Sequence, residues 1–424
     1  MKTETERQAP STEHEQTVDD ESRSLSLENH NLRQIPDEIF SKSSRPDQIR
    51  ELILSSNCIE RVDQRIARLS NLRQVDLSVN RIVGLPEQIA FLSRLERLDV
   101  SDNQIEKISP AMWMLENLRV LQFSRNHVSH LGDGLGQLTS LQELVFSQNN
   151  LVTLPESVVR LSNLTVLDVS RNGLSEIPAL SEFPHMRVLC LASNRFSSIP
   201  PLTRNLLLED IDLECNLLTC MPAMMSCHPN LSRINLANNK IQYLDAHISG
   251  CLSLENLNAS ENDLESIPEE FGALTHLKTL AISDNKLKFL PQGLFKLCNL
   301  TSLDVSGNLI KSMGPELSEL TRLQTLYLSD NQFTVLPIQL CDMKHITCLD
   351  VANNPVEDPN DPVLALKREE RAQNGQRQLV QRSSEGWEEH DLQMQAMKVL
   401  QAKRDEEHMT QRVLRSGVST PLVH

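Results

Sequence analysis

The sequence predicts an α/β fold: a solenoid, or horseshoe, with a curved parallel sheet on the concave side and short helical or 3-10 segments on the convex side. Two observations lead to this prediction. Asparagine recurs along most of the 424 residues at a step of 23, apart from two steps of 22, and each asparagine follows alternating apolar residues. A period of this size indicates that every copy supplies one strand and buries its apolar face against the next copy.

The strand of each copy is predicted by the alternation of its apolar residues. In the stretch LRQVDLSVN, Val75 and Leu77 alternate with Gln74, Asp76 and Ser78. Alternation is the period of a strand, so we expect Val75 and Leu77 to be buried and the three polar residues to lie on a free concave face. Leucine dominates the buried positions, so these are leucine-rich repeats, about fifteen in number.

We interpret the recurring asparagine as a structural residue. The chain turns away from the strand at this point, and an unpaired buried backbone amide costs about 1–3 kcal/mol. An asparagine side chain donates and accepts, so we expect it to bond the backbone of its own turn and of the next. One early copy has His30 at this position. The ladder consists of Asn57, Asn80, Asn103, Asn126, Asn149, Asn172, Asn194, Asn216, Asn239, Asn262, Asn285, Asn308, Asn331 and Asn354.

The return path of each copy predicts the convex side. It begins with proline in nine copies, which presets φ at the start of the turn. Apolar residues three apart then follow, a spacing that suits a short helix or a 3-10 segment.

Composition divides the chain into four expected regions. Residues 1–24 carry seven acids and three bases with almost no apolar residues, so we expect a disordered acidic tail. The solenoid spans residues 25–361. Asp361 is a good N-cap, Pro362 suits the first helical position and Asn374-Gly375 is a stop signal, so residues 362–375 should form a capping helix. Residues 376–424 should be a flexible, partly helical tail.

The charge and the cysteines restrict the partners and the compartment. A net charge of −16 argues against binding to nucleic acid, which selects clusters of lysine and arginine. No apolar run approaches the length of a membrane span, so we expect no direct membrane insertion. The nine cysteines are scattered through the repeats and odd in number, which favours reduced thiols and a cytoplasmic location.

The search for catalytic chemistry leads us to expect no enzyme, no cofactor and no metal. No phosphate-binding loop, dinucleotide fingerprint or HExxH sequence occurs. Cys215, Cys220, Cys227 and His228 suggest zinc, but the repeat register places His228 in the core and Cys227 outside, whereas zinc ligands must converge.

The outward positions of neighbouring strands predict a binding surface. They combine an apolar stripe, flanking arginines and a bordering acidic block, and contiguous apolar surface tends to mark contact sites. Strand propensity is the alternative explanation, because valine suits strands wherever it lies. The predicted partner-binding residues are Arg97, Val120, Arg125, Val145, Val166, Arg171, Val188, Cys190, Asp210, Asp212 and Glu214.

The copies also carry a family resemblance. LRQVDLSVNRIVGLPEQI and LKTLAISDNKLKFLPQGL resemble the intracellular 23-residue LPxxI repeats of the Ras-binding scaffold (Shoc/Sur) and LAP types and of plant Ras-group proteins. The resemblance implies binding of a Ras-type small GTPase and of protein phosphatase 1 on the concave side. It carries over no individual binding residue, because the residues that match are the buried ones.

We therefore predict a non-catalytic protein–protein interaction scaffold or adaptor, monomeric on its own, that binds a globular protein on its concave face. The resemblance implies a role in Ras-type small-GTPase and MAP-kinase signalling. Two alternatives stay open: a regulatory subunit that positions a protein phosphatase, and a structural component of a cytoskeletal or junctional complex.

Overall fold

The structure of the protein is a computed structural model that describes residues 23–41, 45–202, 204–221, 228–358 and 361–365. It divides into two compact units, one up to Asp361 and one from Pro362 onwards. In the second unit, residues 362–365 are α-helical, and the rest of the predicted capping helix and tail lies outside the described residues.

The described residues of the first unit form one open sheet of fifteen parallel strands, each paired with the strand that follows it in the chain. The predicted repeat solenoid is therefore confirmed. The strands are β1 (Arg23–Ser26), β2 (Ile49–Ile53), β3 (Gln74–Asp76), β4 (Arg97–Asp99), β5 (Val120–Gln122), β6 (Glu143–Val145), β7 (Val166–Asp168), β8 (Val188–Cys190), β9 (Asp210–Asp212), β10 (Arg233–Asn235), β11 (Asn256–Asn258), β12 (Thr279–Ala281), β13 (Ser302–Asp304), β14 (Thr325–Tyr327) and β15 (Cys348–Asp350).

The strand β1 corrects the expected start of the solenoid. It begins at Arg23, whereas the sequence predicted a disordered tail up to residue 24. Residues 23 and 24 pair with β2, opposite Ile49 and Glu51. Pairing with a neighbouring strand satisfies their backbone, which composition alone does not reveal.

The return paths contain short 3-10 helices. Proline precedes six of them, and where Asp63, Ser109 or Asp245 replaces it, the side chain accepts a hydrogen bond from the backbone N–H two residues later. The described 3-10 helices are Asp37–Phe40, Pro46–Gln48, Gln64–Arg68, Glu87–Phe91, Pro110–Met114, Asp133–Gln137, Glu156–Arg160, Leu180–Glu182, Ala246–Gly250, Glu269–Ala273, Gln292–Lys296, Pro315–Glu319 and Ile338–Cys341.

The core lies between the sheet and these 3-10 helices. Val75 and Leu77 are fully buried, as the strand alternation predicts, and the same positions are buried in neighbouring copies. Phe40 and Trp113 are also buried, on the convex side of the core. No helix in the described ranges is both long enough and apolar enough to cross a membrane.

The ladder asparagines bond their own turn and the preceding one, whereas we expected the following one. Asn80 donates from Nδ2 to the carbonyls of Leu77 and Leu54 at 3.0 and 2.9 Å, and its Oδ1 accepts from the N–H of Ile59 at 2.9 Å. His30 occupies the equivalent place in the first described copy, and Asn57 bonds its backbone N–H. The described residues include no turn before this copy for a ladder side chain to bond, which fits the different side chain at this position.

A second set of asparagines links the turns just before the strands. Asn117 and Asn163 donate to the carbonyls of Ser93 and Thr139 in the preceding copy, at 2.8 and 2.9 Å. The buried Asn205 bonds the carbonyl of Leu180 in the same way. In these copies, side chains therefore join neighbouring turns on both sides of the strand.

Candidate functional site

The concave face consists of three rows of outward side chains. Row 1 holds the first residue of each three-residue strand, row 2 holds the third, and row 3 holds the residue two positions later. The register keeps each row aligned from strand to strand, so that Val166 of β7 lies opposite Glu143 of β6 and Val188 of β8. A row therefore runs across the sheet as a continuous line.

Row 2 has a structural preference that the sequence alone did not reveal. In eight strands its residue is Asp or Asn, whose Oδ1 accepts the backbone N–H of the row 3 residue at 2.9 to 3.2 Å. This side-chain turn ends the strand. The residues are Asp76, Asp99, Asp168, Asp212, Asn235, Asn258, Asp304 and Asp350.

Row 2 departs from this preference at Ile53, Ala281 and Tyr327, and at three further positions that lie close together in the middle of the sheet. Gln122, Val145 and Cys190 occupy row 2 of β5, β6 and β8. Val145 and Cys190 are half-buried and cannot form the side-chain turn. These three residues therefore leave β5, β6 and β8 without the strand-ending turn that β4, β7 and β9 keep.

The register corrects the predicted apolar stripe. Val166 and Val188 are direct neighbours in row 1, but Glu143 separates Val166 from Val120. In row 2, Asp168 lies between Val145 and Cys190. The apolar side chains are therefore interleaved with carboxylates. We call Val145, Val166, Val188 and Cys190, together with Glu143 and Asp168, the central concave patch.

The predicted acidic block borders this patch on β9, and side chains hold each of its members in place. Arg233 of β10 binds Asp210, with Nε 2.9 Å from Oδ2. Asp212 accepts the N–H of Glu214 at 3.1 Å, and Glu214 accepts Asn235 Nδ2 at 2.9 Å. The block is a fixed border with defined geometry.

Burial shifts the protonation of this border. Asp210 and Asp212 are 5% and 8% exposed. Burial raises the pKa of Asp212 to about 7, because the charged form loses hydration, and the carboxylates of Glu214, Asp210 and Asp168 raise it further. Burial also raises the pKa of Asp210, although Arg233 opposes the shift. The charge of the border therefore changes near neutral pH.

The predicted arginines lie at different depths. Arg97 is half-buried in row 1 of β4, with its guanidinium 3.4 Å from Gln122 Oε1. Arg125 and Arg171 are exposed and lie beyond row 3, each just before a ladder asparagine, at φ values of 54° and 52°. Arg125 forms an ion pair of 2.8 Å with Asp102 of the preceding copy. These two arginines therefore frame one edge of the patch and do not lie within it.

The surroundings of Cys190 and His228 indicate structural roles. Burial and nearby aspartates raise the pKa of the Cys190 thiol well above its ordinary value, so it stays protonated and behaves as a small apolar group. His228 is fully buried with Nε2 3.0 Å from the carbonyl oxygen of Leu202. Cys227 lies outside the described residues. Among those described, no group of three His, Cys, Asp or Glu residues has metal-binding geometry.

Sequence reasoning missed Glu143, Asp168 and Arg233. Glu143 is 7% exposed in the middle of row 1, which is unusual for a carboxylate. Reading each row at the fixed step of 23 places Glu143 between Val120 and Val166. The sequence register could therefore have shown that a carboxylate interrupts the valines. The bond from Arg233 to Asp210 depends on side-chain conformations, which the register does not specify.

Comparisons with known proteins agree on the repeat. The profile of a leucine-rich repeat region matches residues 47–254. A second leucine-rich repeat profile matches residues 252–310, 275–333 and 298–356 in overlapping units. A search of the curated proteins found no significant match to the chain.

Solved structures with the same architecture come from bacteria, plants and animals. A leucine-rich repeat protein of Leptospira interrogans is 27% identical, with 82% of this chain and 94% of that chain covered and a TM-score of 0.75. The internalin InlF of Listeria monocytogenes is 23% identical, with coverage of 73% and 89% and a TM-score of 0.66. Drosophila Toll, solved in its complex with Spatzle, is 21% identical, with coverage of 76% and 49% and a TM-score of 0.61.

Proposed function

The chain belongs to the leucine-rich-repeat family, and on that premise we propose that it is a non-catalytic scaffold whose concave face binds a folded protein. One observation carries the proposal. In the middle of the sheet, row 2 abandons its structural aspartate at Gln122, Val145 and Cys190, and half-buried apolar side chains take up part of the face. Structural constraint alone does not explain why three of the four successive strands β5 to β8 lose the strand-ending turn.

The size of the face favours a macromolecule. Strands lie about 4.8 Å apart, so the fifteen strands form an arc on the order of 65 Å. A domain of roughly 180 residues is about 40 Å across, so one such domain spans about eight strands. The protein in complex with Spatzle has the same repeat architecture, which supports a protein as the partner.

The side chains of the central concave patch indicate what kind of surface the partner presents. Its valines require an apolar centre on the partner, and the surrounding carboxylates of Glu143, Asp168 and β9 favour arginine or lysine around that centre. A complementary charge pattern sets orientation and association rate, while the apolar contact supplies affinity.

We base the identity of the partner on the resemblance of the repeats. The LPxxI repeats resemble those of Ras-binding scaffolds, so we propose a Ras-type small GTPase as the partner, in MAP-kinase signalling in the cytoplasm. The described cysteines are all free thiols, which supports a reducing compartment. A phosphatase catalytic subunit or a cytoskeletal protein is the partner in the two alternatives.

Changing Val145 and Val166 to glutamate together should abolish binding of the partner. Two added carboxylates would remove the apolar contact and repel a partner that already faces acidic residues, and the half-exposed positions should leave folding intact. The measurement is affinity capture with the full chain followed by mass spectrometry, alongside thermal unfolding.

The matched control changes Val83 and Val152 to glutamate, since both are valines 55% exposed outside the three rows. Capture that survives the change at Val145 and Val166 would refute the role of the patch. A GTPase retained only when loaded with GTP supports the signalling scaffold. A phosphatase subunit or cytoskeletal proteins in its place would support the corresponding alternative.

A further inference from the structure

An open cleft of about 250 Å³ lies beside the concave face, at the ends where β3 to β5 begin. Five residues line it: Arg73, Arg94, Glu96, Asn117 and Arg119. Arg73, Glu96 and Arg119 each directly precede a strand, so they lie side by side on successive turns. The volume is below the range of about 300–1,000 Å³ usual for small-molecule pockets, so the cleft suits a single charged group.

The cleft has an excess of positive charge in an acidic protein. Elsewhere at the same position in the repeat, charges pair one to one: Arg187 with Glu209, and Lys278 with Glu255. In the cleft, three arginines accompany one glutamate, which leaves two positive charges. The whole chain has a net charge of −16, so this local reversal is not a consequence of composition.

Two of the three guanidinium groups have no partner in the part of the chain that the structure describes. Arg73 Nη1 binds Glu96 Oε1 at 2.5 Å. Arg94 and Arg119 form neither an ion pair nor a side-chain hydrogen bond within the ranges that the structure describes, and both side chains are exposed. Asn117 is held in place by its bond to the carbonyl of Ser93. The guanidinium groups of Arg94 and Arg119 therefore line a cleft in which Asn117 is held in a fixed position.

We propose that this cleft binds a phosphate monoester, and specifically a phosphorylated serine or threonine on a protein partner. A phosphoryl group carries a charge of about −1.5 to −2 near pH 7, which balances the two positive charges. Guanidinium groups bind its oxygens in pairs of parallel hydrogen bonds. An anionic membrane is the weaker fit, because a bilayer requires basic residues spread over a wide face and this cleft has five lining residues.

The test is a titration of the full chain, labelled with ¹⁵N in arginine, observed through the arginine Nε–H signals. The probe is N-acetyl-O-phosphoserine N-methylamide, and its unphosphorylated counterpart is the negative control. We expect the signals of Arg94 and Arg119 to shift with the phosphorylated probe alone. Changing Arg94 and Arg119 to glutamine should weaken binding at least about tenfold, since each charge-assisted bond contributes roughly that factor.

The matched control variant is Arg187→Gln, which removes an arginine from the same position in the repeat but from a balanced pair. It should bind the probe like the parent chain. The Val145 and Val166 variant should also bind it normally, so the outcome is independent of the central concave patch.

Three further probes test whether the ligand of the cleft is a phosphorylated protein. Inorganic phosphate that binds as tightly as the phosphoserine probe would overturn the assignment to a protein partner. A synthetic peptide of residues 1–22, which carries seven carboxylates and no phosphate, would overturn the preference for phosphate if it binds equally well. Phosphatidylserine vesicles that bind the chain through Arg94 and Arg119, with no response to phosphoserine, would also overturn it.

Discussion

At the residue scale, the turn before each ladder asparagine determines which side chains the repeat tolerates. The residue before every ladder asparagine has a φ between 52° and 63°. This left-handed conformation suits glycine or asparagine, as at Gly307 and Asn238, and penalises side chains branched at Cβ. Val79 adopts it with φ 53° while 50% exposed. The turn geometry therefore overrides the local preference of valine at this position.

Replacing Val79 with asparagine should stabilise the protein by about 1 kcal/mol, because the left-handed conformation is less strained for asparagine. Urea unfolding measures the change. Val83→Asn is the control, since Val83 is similarly exposed and has no positive φ. Equal effects at both positions would show that polarity, and not backbone strain, is responsible.

The buried carboxylate of Asp212 should also contribute to the pH dependence of stability. The pKa of Asp212 rises from 3.8 to about 7 on folding, so the native state holds the proton more tightly than the unfolded state. The contribution of Asp212 to the unfolding free energy therefore falls as pH rises from about 4 through about 7, and the loss is complete only above that pH. Asparagine at this position can keep the turn, because Asn235 forms the same bond to the N–H of Ala237.

Asp212→Asn should therefore gain stability over the parent chain with rising pH, by on the order of a few kcal/mol at about pH 8. Urea unfolding of both proteins across the pH range measures the difference, and groups common to both cancel. A difference that stays constant with pH would contradict the proposed protonation of Asp212.

At the element scale, the stacking of 3-10 helices depends on close backbone contact. Glu269 accepts the N–H of Gly293 at 2.7 Å across the stack between Glu269–Ala273 and Gln292–Lys296. A Cβ added at Gly293 would lie 2.0 Å from the carbonyl oxygen of Glu269. Glycine at this position is therefore needed for the close approach of two elements.

Gly293→Ala should destabilise the protein by about 1–3 kcal/mol, because the two 3-10 helices must separate to admit the methyl group. Thermal and urea unfolding report the loss. The control is Gly84→Ala, where an added Cβ meets nothing within 4 Å. An equal loss of stability in Gly84→Ala would show that the effect comes from lost backbone freedom and not from the stacking of the 3-10 helices.

At the scale of the whole solenoid, each turn contacts the turns beside it in the chain. Asn149 illustrates the coupling, since it bonds the carbonyl of Phe123 and the N–H of Val128 in the preceding copy, as well as the carbonyl of Phe146 in its own. Stability in such an array is a sum over neighbouring pairs. Damage to one turn should therefore stay local.

Asn149→Ala should increase hydrogen exchange in residues 123–151 and leave the exchange of β1 and β15 unchanged. The loss of several buried hydrogen bonds should cost about 2–3 kcal/mol in that region. Native-state exchange detected by mass spectrometry maps the effect. Asn150→Ala is the control, because its side chain is exposed and makes one long bond of 3.5 Å. Exchange that rises uniformly along the chain would contradict the nearest-neighbour description.

The sequence by itself determined the features that depend on period. A constant step of 23 specifies which residues stack, and alternation specifies which are buried, so the parallel sheet, the convex 3-10 helices and the core could all be predicted. The sequence predicted the candidate site only in part. The outward positions of Val145, Val166 and Asp212 follow from alternation, because the inside and outside of a strand are local properties.

Only the tertiary structure decided what each outward side chain is bonded to. Asp212 ends its own strand, Asp210 is held by Arg233, and Arg94 and Arg119 share a cleft without a partner among the described residues. The bond of Asp210 and the cleft bring together residues about one repeat apart, and all three arrangements depend on side-chain conformation. Periodicity places such residues near each other, but the path of the backbone and the rotamers decide whether they meet.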